Sequence, residues 1–244
     1  MTSQPPRRRS GSDAPSYGEG GIRLVTDRWA TFDCYGTLVD WMGGIRATLA
    51  RLWPSEDAGA LLERYYAVEP AVQAGRGIPY RQVMAETLGL IAQTHGLLVP
   101  AGQEGALGTS LPTWPVFPEV PRALVDLRAR GWRLAILSNT DPDLLDGSIA
   151  TIGVPVDLRV VASEVGSYKP AFGHWQAFFR QTGADKARHV HVAASLFHDV
   201  EPCAKLGLTC IWINRLGETS DLPRAAELTD LTSLPEALDA LVAA

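Results

Sequence analysis

The chain has 244 residues, 46% of them hydrophobic, enough for one large domain or for a core carrying an inserted module. Its formal net charge of -5 gives no bulk basicity for a nucleic-acid partner, and no apolar run approaches the ~20 residues of a membrane span. The three cysteines, Cys34, Cys203 and Cys210, are odd in number and follow no metal-ligand spacing, which suits a reducing cytoplasm.

Residues 1–21 are rich in Pro, Ser, Gly and Arg, and Arg7-Arg8-Arg9 has no apolar stretch behind it. A secretory or twin-arginine signal needs such a stretch, so the segment reads as a disordered tail. The first strand is expected at 28–32, and Asp33 stands where it ends. In an open α/β sheet, ligands gather outside the carboxyl ends of the strands. The octet Asp33-Cys34-Tyr35-Gly36-Thr37-Leu38-Val39-Asp40 then turns, with Gly36 permitting a sharp bend and Thr37 offering a hydroxyl beside the carboxylate. This is a way to display a carboxylate for nucleophilic attack. Cys34 points the other way in extended backbone and reads as a packing residue.

A helical stretch follows, broken at Trp53-Pro54 and at Gly75-Arg76-Gly77, running to about His95; Gly- and Pro-rich sequence fills 96–118. A helix is expected over 121–130, opened by Pro121 and closed at Gly131. Strands are expected at 132–137, ending in Ser138-Asn139, and at 158–162. A helix at 172–182 stops at Gly183, a strand covers 189–194, and a helix at 200–206 is followed by Gly207. A strand at 209–213 and a helix at 234–242 complete the chain. Alternation of strands and helices implies a parallel sheet with right-handed crossovers. The expected class is therefore α/β: a Rossmann-like parallel-sheet core from 22–41 and 113–244, with an all-helical cap inserted at 42–112.

Four segments in chain order closely resemble the motifs of the haloacid dehalogenase superfamily: the Asp33 octet, Leu137-Ser138-Asn139, Tyr168-Lys169-Pro170, and Ala194-Ser195-Leu196-Phe197-His198-Asp199. The resemblance spans about residues 26–240. Phosphatases of the superfamily carry a second Asp two residues after the nucleophile, as acid for the leaving oxygen. Here that residue is Tyr35, and a phenol with a reference pKa of about 10 is a poor substitute. The 2-haloacid dehalogenase branch has a Tyr at this place, and its halide needs no proton.

The resemblance implies Asp33 as nucleophile, with Lys169 keeping it ionised and screening a substrate carboxylate. It implies Ser138 and Asn139 at the substrate's anionic group, Tyr35, Thr37 and Ser195 beside it, and Asp199 orienting Lys169 or a water. Ser195 stands where metal-dependent relatives carry an acid, leaving only Asp33 and Asp199 as hard oxygen ligands. Magnesium wants near-octahedral oxygen geometry, so no cofactor is expected, magnesium entering only for a phosphatase. The Asn of the usual Ser-Ser-Asn loop is absent, and the hydrolytic water has no evident holder. His198 is a candidate general base, against the plainer reading of a hydrogen-bonded structural residue. A cap arginine accepts halide in 2-haloacid dehalogenases about thirty residues after the nucleophile, where Arg64 stands. Arg46, Arg76 and Arg81 compete for that role, and Trp41, Tyr65 and Tyr80 are candidate walls of the pocket.

The expected activity is hydrolysis of short 2-haloalkanoic acids to 2-hydroxy acids through an aspartyl ester. A small-molecule phosphatase, another carbon-centred hydrolase such as one opening a strained ring, and a non-catalytic binding protein are the alternatives. The expected partner is a small carboxylate, with no nucleic acid and no membrane, in a cytoplasmic protein for which a homodimer is an open assembly.

Overall fold

A computed structural model describes residues 27–244; the expected tail at 1–21 lies outside them. In chain order, β1 (Arg28–Phe32) is followed by α1 (Trp41–Leu52), α2 (Ala58–Gln73), α3 (Tyr80–Thr94) and α4 (Ala106–Ser110). Next come α5 (Val120–Ala129), β2 (Trp132–Ser138), α6 (Pro142–Ile152), β3 (Leu158–Val161), α7 (Ala162–Val165) and α8 (Gly173–Thr182). The chain ends with β4 (His189–Ala193), α9 (Glu201–Leu206), β5 (Cys210–Ile213), β6 (Ala226–Leu228) and α10 (Leu234–Leu241).

All strand pairs are parallel, and the order is β3-β2-β1-β4-β5-β6. β1 lies inside the sheet and every one of its residues is buried. A strand covered on both faces needs apolar residues without alternation, which Trp29-Ala30 and Phe32 supply. Phe32 pairs with Ile136 of β2 and Val192 of β4. That register brings the residues just after β1, β2 and β4 to one edge of the sheet. The strand order reverses between β1 and β4, the switch point at which such sheets bind ligands.

Five helices, α1 to α5, lie between β1 and β2 in the chain, the first four of them before residue 112. Asp40 caps α1 by accepting from Gly43 N at 2.9 Å, and Asp57 caps α2 by accepting from Gly59 N at 2.8 Å. Leu49, Leu61, Val83, Leu88 and Ile91 join the larger buried cluster, which also contains Phe32 and Leu38 of the core. The helical layer and the sheet thus share apolar packing. Gly44 is needed where α1 meets Trp114: a Cβ there would lie 2.2 Å from the indole.

Four elements go beyond the sequence expectation, one of them the single-turn helix α7 that takes over directly from β3. α6 was missed, although Pro142 opens it and left-handed Gly153 closes it. α4 forms inside the Gly- and Pro-rich stretch because Ala106, Leu107 and Leu111 find buried places. β6 is a three-residue strand, too short to show a period. No helix among the described residues is long and apolar enough to cross a membrane.

Candidate active site

The end of β1 delivers Asp33 to the sheet edge, and Asp33 N donates to Val192 O of β4 at 3.0 Å. The loop then closes on itself: Gly36, at φ 91°, donates its N–H to Val39 O at 2.8 Å, and Leu38 N donates to Cys34 O at 2.7 Å. Only a residue without a Cβ takes that φ readily. Cys34 is fully buried, and burial pushes its thiol well above the ordinary range. It packs rather than reacts.

Lys169 is the centre of the arrangement. Its Nζ donates to Asp33 Oδ1 at 2.9 Å, to Asp199 Oδ1 at 2.6 Å and to Leu137 O at 2.9 Å. All three ammonium hydrogens are therefore used, at a side chain only 1% exposed. Burial acts to lower the Lys169 pKa, but Asp199 and Asp33 outweigh it and hold the group above its ordinary value. Burial likewise acts to raise Asp199, and Lys169 and His191 outweigh it, holding that carboxyl well below the usual range.

Thr37 Oγ1 donates to Asp33 Oδ2 at 2.9 Å and accepts from Ala194 N at 2.9 Å. It is fully buried and does not line the cavity, so it aims Asp33 rather than meeting a ligand. Asn139 is also redirected. Its amide donates to Lys169 O at 3.0 Å and accepts from Lys169 N at 2.6 Å, which engages the side chain in holding the lysine loop. Ser138 differs: its buried Oγ lines the cavity without a protein partner.

Ser195 Oγ accepts from His198 N at 3.0 Å and lies 3.1 Å from His198 Nδ1. It caps a single wide helical turn, Leu196–Val200, and orients the imidazole. Burial lowers the His198 pKa, so the ring is neutral near pH 7. Tyr35 OH meets Ser148 Oγ of α6 at 3.0 Å, and its ring stands edge-on to Trp114 at 6.3 Å. Burial pushes this phenol far above its ordinary range.

A cavity of about 600 Å³ opens above these groups, lined by Asp33, Tyr35, Ser138, Asn139, Lys169, Ser195, His198 and Asp199. Residues of α1, α2 and α3 close its other end, among them Trp41, Tyr66, Glu69 and Tyr80. Arg64 is not among them; it is exposed on α2. Counting from the nucleophile places Arg64 on a helix that lines the cavity, but on its outer face. Arg64 and Glu69 are five residues apart, about 140° around a helix of 3.6 residues per turn. Glu69 faces the cavity and Arg64 faces away. Arg46, Arg76 and Arg81 are exposed too, and Arg76 and Arg81 pair with Glu86 and Asp143. Of the expected aromatic walls, Trp41 and Tyr80 line the cavity, while Tyr65 is buried behind it.

Three residues of the site were not foreseen. Arg215, two residues past β5, lines the cavity. Its Nη2 donates to Thr37 O at 2.8 Å and Glu119 Oε1 at 2.6 Å, and its guanidinium lies 3.6 Å from the centre of the Phe117 ring. The strand-end rule that singled out Asp33 and Ser138 applies equally after 209–213 and would have found it. His191 joins Asp199: Nε2 donates to Oδ1 at 3.0 Å, Nδ1 lies 2.8 Å from Thr31 Oγ1, and Thr31 Oγ1 lies 2.8 Å from His189 Nε2. His189 and His191 stand two apart on a strand, hence on one face, which was the available signal. Glu69 had no signal beyond its place in a helix. Its Oε1 accepts from Tyr80 OH at 2.7 Å and Tyr65 OH at 3.2 Å, and burial raises its carboxyl to about 7 against those two phenols.

Among the described residues, no group of three or more His, Cys, Asp and Glu is arranged to hold a metal ion. Between Asp33 and Asp199 the positive charge is Lys169.

The model of the haloacid dehalogenase-like hydrolase family matches residues 28–207. (S)-2-haloacid dehalogenase 1 of Pseudomonas sp. (strain CBS-3) is 24% identical over 226 residues, covering 86% of this chain and 96% of that protein. Glyceraldehyde 3-phosphate phosphatase of Methanothermobacter thermautotrophicus is 26% identical over 189 residues, covering 75% and 84%. The crystal structure of the L-2-haloacid dehalogenase RSc1362 superposes with a TM-score of 0.78 at 26% identity, covering 88% of this chain and 99% of that one.

Proposed function

The chain belongs to the haloacid dehalogenase-like hydrolases, and from that premise we propose that it displaces halide from short 2-haloalkanoic acids through an ester to Asp33. The observation that carries this reading is the setting of Asp33. Its carboxylate is held by Lys169 and Thr37, and the neighbouring Tyr35 turns its hydroxyl to Ser148. A nucleophile is thus supported with no acid beside it, which suits a leaving group that needs no proton.

In this account Asp33 attacks C2 of the substrate from behind the carbon–halogen bond. The new C–O bond forms as the halide leaves with the bonding pair. Water then attacks the Asp33 carboxyl carbon, and the 2-hydroxy acid departs as the carboxylate is restored. One water is consumed, and halide and one proton are released. Ser138, whose hydroxyl has no protein partner, donates to the substrate carboxylate. Lys169 keeps Asp33 ionised and stabilises the oxyanion formed on it during hydrolysis. Asp199 Oδ2 is buried with no protein partner and holds the water, with neutral His198 beside it as proton acceptor. Arg215 takes over the role expected of Arg64: its buried Nε–H has no protein partner and is the donor left for the leaving anion.

A magnesium ion does not fit this donor set. Two carboxylates already bridged by an ammonium cannot supply the near-octahedral oxygen shell it prefers, and no step is routed through one. The test is a panel of C2–C4 2-haloacids and fluoroacetate assayed for halide, beside sugar phosphates assayed for phosphate with and without magnesium. Halide release without added metal is expected. Magnesium-dependent phosphate release with no halide would overturn the reading.

A further inference from the structure

The end of the cavity away from Asp33 is built unlike a halide or carboxylate pocket. Glu69 lines it, yet no Lys or Arg pairs with this carboxylate among the described residues. Its Oε1 is fixed by Tyr65 and Tyr80, and Tyr80 is itself fixed by Trp41 Nε1, which donates to its hydroxyl at 3.2 Å. Trp41 and Tyr66 meet with ring centres 5.0 Å apart, tilted by 51°. Asp40, which caps α1, lines the same end. Aromatic faces around a carboxylate recognise organic cations: the ring quadrupoles attract positive charge and the carboxylate neutralises it. An anion would meet repulsion there.

We infer that Trp41, Tyr66, Tyr80 and Glu69 form a binding site for an ammonium group carried by the substrate. The substrate class is then an acid with its carboxylate near Ser138 and a primary to quaternary ammonium at the far end. The size agrees: about 600 Å³ lies within the range of pockets for whole small ligands, ~300–1,000 Å³, and exceeds what a two- to four-carbon acid fills. The half-buried carboxylate has no cationic partner among the described residues, and a ligand ammonium would supply one. The inference rests on the reading above only for the carboxylate end, so its test uses binding rather than turnover.

The experiment is isothermal titration of the full-length wild-type protein near pH 8 with n-butylammonium and with tetramethylammonium. Butan-1-ol serves as the neutral isostere. Both cations should bind at least about tenfold more tightly than the alcohol, the ratio given by ~1.4 kcal/mol of charge–aromatic and charge–carboxylate attraction. Glu69→Gln keeps an acceptor for the two phenols and should lower cation affinity about tenfold while the circular dichroism spectrum stays unchanged. Absence of cation binding, equal binding of the alcohol, or unchanged affinity in Glu69→Gln overturns the inference. A protein that releases halide but ignores the cations refutes this site alone; one that binds them through Glu69 but releases no halide from 2-haloacids, with or without a terminal ammonium, upholds it and refutes the dehalogenase reading.

Discussion

Lys169→Met removes the charge at the centre of the site while keeping an unbranched side chain of similar length. Asp33 Oδ1, Asp199 Oδ1 and Leu137 O each lose a donor. Lys169 is 1% exposed and Asp199 is fully buried, so water cannot replace the ammonium without rearrangement. Breaking a buried ion pair by removing one partner costs ~3–5 kcal/mol, a large share of the ~5–15 kcal/mol that holds a domain folded. The pH dependence gives the sharper test. In the wild type, Asp199 is held below its unfolded value of about 3.9, so it contributes stability above that pH and loses it as pH falls through the folded value. In the variant, burial acts on Asp199 with the ammonium gone, and its folded pKa rises above about 3.9. The sign reverses: the variant holds its stability in acid and loses it as pH rises. The gap between the two proteins should therefore be widest near pH 7 and narrow toward about pH 4. Urea unfolding followed by circular dichroism at several pH values measures it, with equal m-values confirming comparable transitions. A loss below about 1 kcal/mol at pH 7, or a gap independent of pH, would refute the assignment of Lys169 as the partner of both carboxylates.

Asp33→Asn should abolish turnover with little change in melting temperature, since the amide is nearly isosteric and a far weaker nucleophile; more than a few per cent of wild-type activity would remove Asp33 from the covalent role. Activity should survive exhaustive EDTA treatment because Lys169 supplies the positive charge between Asp33 and Asp199; loss restored by magnesium would favour a phosphatase. Glu69→Gln should stabilise the protein above neutrality. Burial raises the Glu69 carboxyl from 4.5 to about 7, so its contribution is present below the unfolded value and lost as pH rises through 7. That shift corresponds to at most ~3 kcal/mol, and thermal melts near pH 8 and pH 5 should show a gain at the first that shrinks at the second. An equal effect at both would contradict a buried, titrating Glu69.

The parts of the site that were legible in the sequence are those tied to strand ends. A parallel sheet carries the residues following β1, β2 and β4 to one edge whatever the helices do, and the structure brings Asp33, Ser138, Ser195, His198 and Asp199 together there, with Lys169 reaching them from the loop before α8. Arg215 obeys the same rule, standing two residues past the end of β5. The helical layer was not legible at this level. Distance along the chain gives no rotation about a helix axis, so Arg64, expected at the cavity, faces outward, while Glu69, for which there was no expectation, lines it. Tyr65 was foreseen as a wall, yet lies behind the one residue that needed it, Glu69. The use of a polar group is also hidden. Asn139 and Thr37 sit beside the site as expected, but hydrogen bonds to the Lys169 loop, Asp33 and Ala194 engage them. Those partners follow from three-dimensional closure, which a linear motif does not encode.

The covalent role of Asp33 is tested most directly by following oxygen through one turnover. Enzyme in excess over a 2-haloacid in ¹⁸O-water should give hydroxy acid whose new oxygen is unlabelled, because it comes from Asp33. Hydrolysis of the ester at the carboxyl carbon should leave one solvent oxygen on Asp33, read by mass spectrometry of the peptide that contains it. Labelled hydroxy acid and unlabelled Asp33 in that first turnover would mean that water, with His198 as base, attacks the substrate itself, and the ester account would be wrong even if halide were released.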